Sequence, residues 1–243
     1  MDASEGIIPI LKISNGQLKL IGTGFFISLY GHFVTAKHVL MDALDESLRQ
    51  KNPVHILQFP PEGFLPRDVI RFSFNENYDV AIGEIEPHVH SATNQPVLNR
   101  VPILTAEVPE IGSNVVTCAY PETVIDTSSS GMIFKAFYYD GTLEEHHLVA
   151  RDSVMLPFPC YRTSIPLLGG ASGGPVFDSK GRVFGVNCSG FGNDPPVSYI
   201  SRVLEILELE IHDVKLAPEL EPRTYSVRDL ARLGHISFQP PLM

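Results

Sequence analysis

An all-β fold is what this sequence predicts, on three observations: its apolar stretches are short, turn residues break them at close intervals, and only isolated segments carry helical spacing. The 19 glycines and 20 prolines are spread along all 243 residues and do not gather into one linker. Apolar runs of about four to eight residues punctuated in this way read as the strands of barrels or sandwiches, because each strand reverses before it outgrows its sheet.

In chain order, the first half offers strands at 7–13, 18–29, 33–35, 54–58, 69–73 and 80–85. One helix interrupts them. Val39, Leu40, Ala43, Leu44 and Leu48 recur at helical spacing, with Asp42, Asp45 and Glu46 on the other side. From 88 to 102 the chain has little periodicity and several Asn and Pro, which reads as a crossing between two folded units with the cleft beneath it. Strands then resume at 114–119, 131–139, 143–150, 153–156, 175–177 and 183–188, the last two joined by an Asp178-Ser179-Lys180-Gly181 hairpin turn. Apolar residues at Ile200, Val203, Leu204 and Leu207 give a helix over 198–209. Beyond it, 218–222 reads as an extended spacer. Ser226 then sits three residues before Asp229 in a capping-box-like spacing that starts a short helix, which Gly234 ends. We expect this tail to dock on the body of its own chain.

The most informative stretch is Gly169-Gly170-Ala171-Ser172-Gly173-Gly174-Pro175-Val176. Gly170 and Gly173 adopt left-handed dihedrals at little steric cost, so the chain can turn sharply on either side of Ser172 and present its hydroxyl outward. A loop curled in this way also aims the amides of Gly170 and Ser172 at one point, where a tetrahedral oxyanion would form. A serine is a weak nucleophile at its free pKa and needs a base with an orienting partner. His38 follows the apolar run Phe33-Val34-Thr35-Ala36, and Asp79 opens the β-branched run Val80-Ala81-Ile82. Glu76 is the nearest rival to Asp79. The other histidines, including the adjacent His146 and His147, receive no catalytic role, since neighbours on a strand point to opposite faces and do not chelate together.

The order His, Asp, Ser with these flanks resembles the trypsin/chymotrypsin-type serine peptidases, most closely the disulfide-free bacterial branch that includes the HtrA-like enzymes. Gly22 to Ile27, Thr35-Ala36-Lys37-His38-Val39 and Gly170 to Pro175 carry the resemblance, which spans about residues 20 to 200. It implies two six-stranded antiparallel β-barrels with a C-terminal helix and tail. Residues 1–100 would carry His and Asp, 101–210 would carry Ser plus the terminal helix, and 211–243 would form an extension with no PDZ-sized domain. It implies that Ser172 is the nucleophile, His38 the general base and then acid, and Asp79 the group that fixes the tautomer of His38, with Gly170 and Ser172 as the oxyanion hole. The separations of 41 residues between His38 and Asp79 and 93 between Asp79 and Ser172 suit this division between barrels. The implied activity is peptide-bond hydrolysis through an acyl-enzyme, without cofactor or metal. The alternatives left open are a catalytically silent binding module of the same fold and an esterase using the same acyl chemistry.

Three departures from the family pattern carry consequences. Ala171 stands where activatable relatives have an acidic residue before the serine, so activation by an ion pair with a newly cut N-terminus is excluded, and regulation by a partner protein is expected instead. The primary pocket implied by alignment is bordered by Pro166, Cys188, Gly190 and Val197, none of them acidic. An unpaired buried cation costs several kcal/mol, so small or apolar residues are expected before the scissile bond. Cys188 also replaces a hydroxyl that supports the aspartate in many relatives, and a thiol is a weaker donor.

Composition narrows the partners. With 18 Lys+Arg against 28 Asp+Glu, the net charge of −10 argues against nonspecific nucleic-acid binding, which depends on cationic neutralisation of phosphates. Cys118, Cys160 and Cys188 are an odd, widely spaced set that forms neither a disulfide framework nor a zinc pattern. No basic and apolar leader opens the sequence, and no run reaches the roughly 18 apolar residues of a membrane helix. A reducing, cytoplasmic setting with protein or peptide substrates and no membrane contact is the expectation.

Overall fold

A computed structural model describes residues 3–14, 17–41, 54–59, 63–86, 88–89, 97–121, 134–191, 196–217 and 219–240. Six strands, β1 (Ile7–Ser14), β2 (Gln17–Phe26), β3 (His32–Thr35), β4 (Val54–Gln58), β5 (Leu65–Phe74) and β6 (Ala81–Ile85), close into a barrel in the order β1-β2-β3-β6-β5-β4. Six more, β7 (Asn114–Ala119), β8 (Phe137–His147), β9 (Cys160–Thr163), β10 (Pro175–Phe177), β11 (Val183–Phe191) and β12 (Val197–Arg202), close a second in the order β10-β11-β12-β9-β8-β7. All their pairings are antiparallel. Closure leaves no free sheet edge in either unit.

The strands do not alternate cleanly between apolar and polar because many bury both faces. Ile8, Ile10, Phe26, Phe33, Val54 and Ile56 fill the first barrel, while Val115, Leu143, Val176, Phe184 and Ile200 fill the second. The opposite faces supply Ile7, Leu11, Phe25 and Val34 from one barrel and Cys118, Phe177, Val183 and Val186 from the other to a third, shared cluster. Each such side chain contributes on the order of 1.5–3 kcal/mol on burial.

Several expectations need correction. Residues 153–156 are not a strand, because Asp152 Oδ1 accepts from the amides of Val154 (2.9 Å), Met155 (2.6 Å) and Leu156 (3.1 Å) and holds the segment in a turn. The strands expected at 131–139 and 143–150 are one continuous strand, β8, which leaves out 134–136 and 148–150, with 131–133 outside the described residues. The helix expected over 198–209 is strand β12 followed by a short helix at Val203–Leu207. Its helical spacing is overridden by pairing of Ser198 to Ser201 with Thr163 to Cys160. Strand β9 went unrecognised at four residues. After His38 the chain is helical over 37–41, and the remainder of the expected helix lies outside the described residues.

The tail docks on the body. A hairpin of β13 (Glu210–Val214) and β14 (Arg223–Ser226) leads into a helix at Val227–Arg232. Ser226 Oγ accepts from the Asp229 amide at 3.1 Å and Gly234, at φ +80°, follows the helix end, as the sequence predicts. Ile211, Val227, Leu230, Ile236 and Phe238 join the shared cluster, while Arg71 pairs with Asp213 at 2.7 Å and Ser73 Oγ donates to the Glu210 carbonyl at 2.6 Å.

Beneath this hairpin, His32 shares a small cavity with Arg71, Glu84 and His212. Its Nδ1 lies 2.8 Å from Ser28 Oγ. Burial, reinforced by Arg71, lowers the imidazole from 6.5 to about 4. The unfolded chain therefore binds a proton between these values that the native state refuses. The stabilising preference for neutral His32 is fully present above pH 6.5 and is lost as pH falls towards 4. Urea unfolding across this window should show stability declining with acid in the native sequence and a shallower decline in His32→Gln; identical slopes would contradict the assignment.

Candidate active site

The serine loop is anchored to both barrels. Thr23 on β2 donates its amide to the Ser172 carbonyl (2.8 Å) and its hydroxyl to the Gly170 carbonyl (2.7 Å). The same hydroxyl accepts from the Tyr120 amide (3.0 Å). From the other side, the Gly173 amide donates to the Asn187 carbonyl (2.8 Å) and the Asn187 amide to the Gly174 carbonyl (2.9 Å). Asn187 Nδ2 also donates to Thr117 Oγ1 (2.7 Å), whose hydroxyl donates to the Pro175 carbonyl (2.7 Å). Thr23, Thr117 and Asn187 are fully buried. None of the three was among the residues expected at the site. The signal was there for Thr23, a polar residue between Gly22 and Gly24 in an otherwise apolar strand.

Both glycines beside the serine take the left-handed geometry expected of them, Gly170 at φ +86° and Gly173 at +87°. Within the loop, the Ala171 amide donates to the Leu168 carbonyl and the Gly174 amide to the Ala171 carbonyl, both at 3.1 Å. With Gly173 committed to Asn187, the amides of Gly170 and Ser172, like that of Gly169, donate to no acceptor among the described residues. The Ser172 hydroxyl donates to the Cys188 carbonyl at 3.3 Å.

His38 and Asp79 come from neighbouring strand ends of the first barrel. Thr35 pairs with Ala81 at the β3–β6 junction, which brings the residues after β3 beside those before β6. Asn75 shapes the approach to Asp79, its Oδ1 accepting from the Asn77 amide at 2.9 Å. Asp79 then binds His38 twice: Oδ1 accepts from the His38 backbone amide (3.0 Å) and Oδ2 meets ring Nδ1 (2.8 Å). The His38 side chain is 44% exposed and that of Asp79 18%, so the ring faces the cleft and the carboxylate lies behind it. Glu76, the rival carboxylate, is bound to Lys37 at 2.8 Å and lies at the surface. The serine loop adjoins this pair, since Gly173 packs against Thr23, Thr35 and the Ala36 amide, two residues before His38.

Cys188 sits at a bulge in β11, where Asn187 pairs with Ile200 and Ser189 already with Tyr199. The extra residue turns its thiol inward to Ser201 Oγ (2.7 Å), and that hydroxyl reaches the Asp79 carbonyl at 3.5 Å. Bulges commonly re-aim side chains in this manner. Burial, reinforced by the Asp79 carboxylate, raises the Cys188 thiol well above its usual range, and burial pushes Cys160 up to about 11. Thiols so displaced stay protonated and are poor nucleophiles.

Of the residues expected around the primary pocket, Cys188 is buried, Val197 is half-buried, and Pro166 and Gly190 are exposed. Gly190 and Val197 are close on adjacent strands, with Gly190 opposite Ser198. Leu167 lies directly over Gly190, where an added Cβ would come within 2.8 Å of Leu167 Cβ. A cleft of about 480 Å³ is bordered by His38, Asp79, Cys188 and Ser189 and walled by side chains from both barrels.

Residues 22–186 match the family model described as a trypsin-like peptidase domain. No curated protein sequence matches the chain significantly. Among solved structures, the Rv3671c protease from M. tuberculosis in its active form is 20% identical with a TM-score of 0.62, covering 84% of this chain and 78% of that one. Deg5 is 19% identical with a TM-score of 0.61 over 83% of this chain and 85% of its own. The MamO protease domain from Magnetospirillum magneticum is 12% identical with a TM-score of 0.59 over 82% and 93%. At these identities the likeness is one of fold.

Proposed function

Because the chain belongs to the trypsin-like peptidase family, we propose that it is a serine endopeptidase in which His38, Asp79 and Ser172 act as a catalytic triad. The observation that carries this reading is the pair of uncommitted amides, Gly170 and Ser172, flanking a serine that is anchored beside the doubly bonded His38–Asp79 pair. His38 takes the proton of Ser172 as the hydroxyl attacks the scissile carbonyl. The two amides hold the oxyanion, His38 protonates the leaving amine, and water then releases the acyl group. Asp79, already on Nδ1, favours the tautomer whose Nε2 carries the lone pair.

Small or apolar residues are preferred before the scissile bond, because Pro166, Cys188, Gly190 and Val197 offer no negative charge to a Lys or Arg. Ala171 is fully buried and uncharged beside the nucleophile, which leaves no partner for a newly formed N-terminal ammonium and favours control by a partner protein. The three cysteines form no disulfide and are buried, in keeping with a reducing, cytoplasmic setting, and no helix among the described residues is long and apolar enough to cross a membrane. A fluorophosphonate probe should form a single adduct that maps to the peptide carrying Ser172. No adduct, or an adduct elsewhere, overturns the proposal.

A further inference from the structure

Where the tail meets the first barrel lies a further cavity, of about 170 Å³. That is about the size of an apolar cavity that takes up a benzene ring. Its apolar walls come from the tail: Leu230 and Ile236 are buried, and Val214 and Leu216 half-buried. The barrel contributes the turn between β2 and β3. There Ser28 Oγ lies 2.8 Å from His32 Nδ1 and accepts from the amides of His32 (3.1 Å) and Tyr30 (3.3 Å), which makes this side a fixed wall. His32 opens β3 and His38 follows its other end, so the length of the strand, about 10 Å, separates the cavity from the triad.

The exposed side of the lining is polar and carries one sign of charge. It consists of Lys215, His235 and Tyr30, the last 58% exposed. No hydrogen bond or ion pair ties the Lys215 ammonium, the His235 ring or the Tyr30 hydroxyl to another described residue, and each can donate. No carboxylate lines the cavity. Glu84, opposite His32 on the sheet, and Asp213, next to Val214, are each paired with Arg71, at 3.6 and 2.7 Å. In a chain with 28 acidic and 18 basic residues, a lining that gathers donors and leaves out acids runs against the overall charge. We propose that this cavity binds a small carboxylic acid: its aromatic ring or short branched chain packs on Leu216, Leu230 and Ile236, and its carboxylate meets Lys215, His235 and Tyr30. Burial of the apolar part supplies most of the affinity, because ion pairs open to water contribute little. The charge selects the acid over neutral and cationic molecules of the same shape. Since tail and barrel both wall the cavity, its occupant bridges them. The site is separate from the triad and holds whether or not the chain cleaves peptides.

Phenylacetate titrated into the full chain and followed by two-dimensional amide NMR tests this. Saturable shifts are expected at residues 28–32, 214–216 and 230–236, with a Kd on the order of 0.1–1 mM. Phenylacetamide and phenethylamine, of the same size, should each bind about threefold or more weakly. Lys215 is exposed, so Lys215→Glu leaves the packing intact and should reverse the order of phenylacetate and phenethylamine. Lys215→Arg should keep the original order. Absence of saturable shifts up to about 20 mM, well above the expected range, overturns the proposal. So do shifts centred on His38 and Ser172, equal binding of the three compounds, or an unchanged order in Lys215→Glu.

Discussion

Asp79→Asn is expected to slow reaction with a fluorophosphonate on the order of 10⁴-fold while leaving the fold in place. The reason is a tautomer. Oδ1 of Asp79 already accepts from the His38 backbone amide, and an N–H donor keeps this bond only with an oxygen opposite it. The carboxamide that replaces the carboxylate must therefore keep its oxygen there and turn its NH₂ towards His38 Nδ1, where Oδ2 now lies at 2.8 Å. An NH₂ group only donates, so Nδ1 must accept, and the ring proton moves to Nε2. The nitrogen that should take the Ser172 proton then has no lone pair to offer. Both hydrogen bonds to His38 survive the change, so the thermal midpoint should move little, which distinguishes a misplaced proton from a damaged fold. Second-order labelling rates at neutral pH check this; a loss of less than about tenfold would leave Asp79 outside the mechanism.

Of these contacts, only the participants were legible in the sequence. Ser172 with its glycines, His38 after an apolar strand and Asp79 before one are local patterns, since a nucleophile turn and a strand end each leave a mark within a few residues. Most strands were legible for a related reason: turn residues recur at close intervals, and the runs between them are apolar enough to be found even where both faces are buried; their division into two barrels rested on the family resemblance. What escaped was set by pairing at long range. Residues 198–202 carry helical spacing, yet the backbone partners waiting at 160–163 decide for strand β12. Residues 153–156 read as a strand until Asp152 collects three amides in succession. Thr23, Asn187 and Ser201 matter through hydroxyl and amide contacts to residues 70 to 147 positions away, as with Asn187 to Thr117 and Thr23 to Gly170. Nothing local marks such a residue beyond its being polar in an apolar run.

Gly173→Ala should cost at least about 4 kcal/mol and remove most of the stability of the chain, for which a total of about 5–15 kcal/mol is ordinary. Two separate penalties meet at this residue. Its φ of +87° is one that a Cβ disfavours by about 1–2 kcal/mol. In addition, the new carbon would lie 2.1 Å from both the Thr23 carbonyl oxygen and Thr35 Oγ1, and 2.8 Å from the Ala36 amide. None of these is the free end of a flexible side chain. Thr23 and Thr35 are fully buried and bonded to each other, Thr35 Oγ1 donating to the Thr23 carbonyl at 2.7 Å. Relief therefore requires the serine loop to leave the first barrel, which breaks its bonds to Thr23 and carries Ser172 away from His38. Gly181→Ala isolates the first penalty, because Gly181 has φ +74° and nothing within 4 Å of the added carbon. Urea unfolding should give about 1–2 kcal/mol for Gly181→Ala and several times that for Gly173→Ala. Whatever fraction of Gly173→Ala folds should fail to react with the probe, because the close approach of Gly173 that completes the packing between barrels also places Ser172. Equal costs at the two glycines would mean that the loop does not press against the first barrel as described.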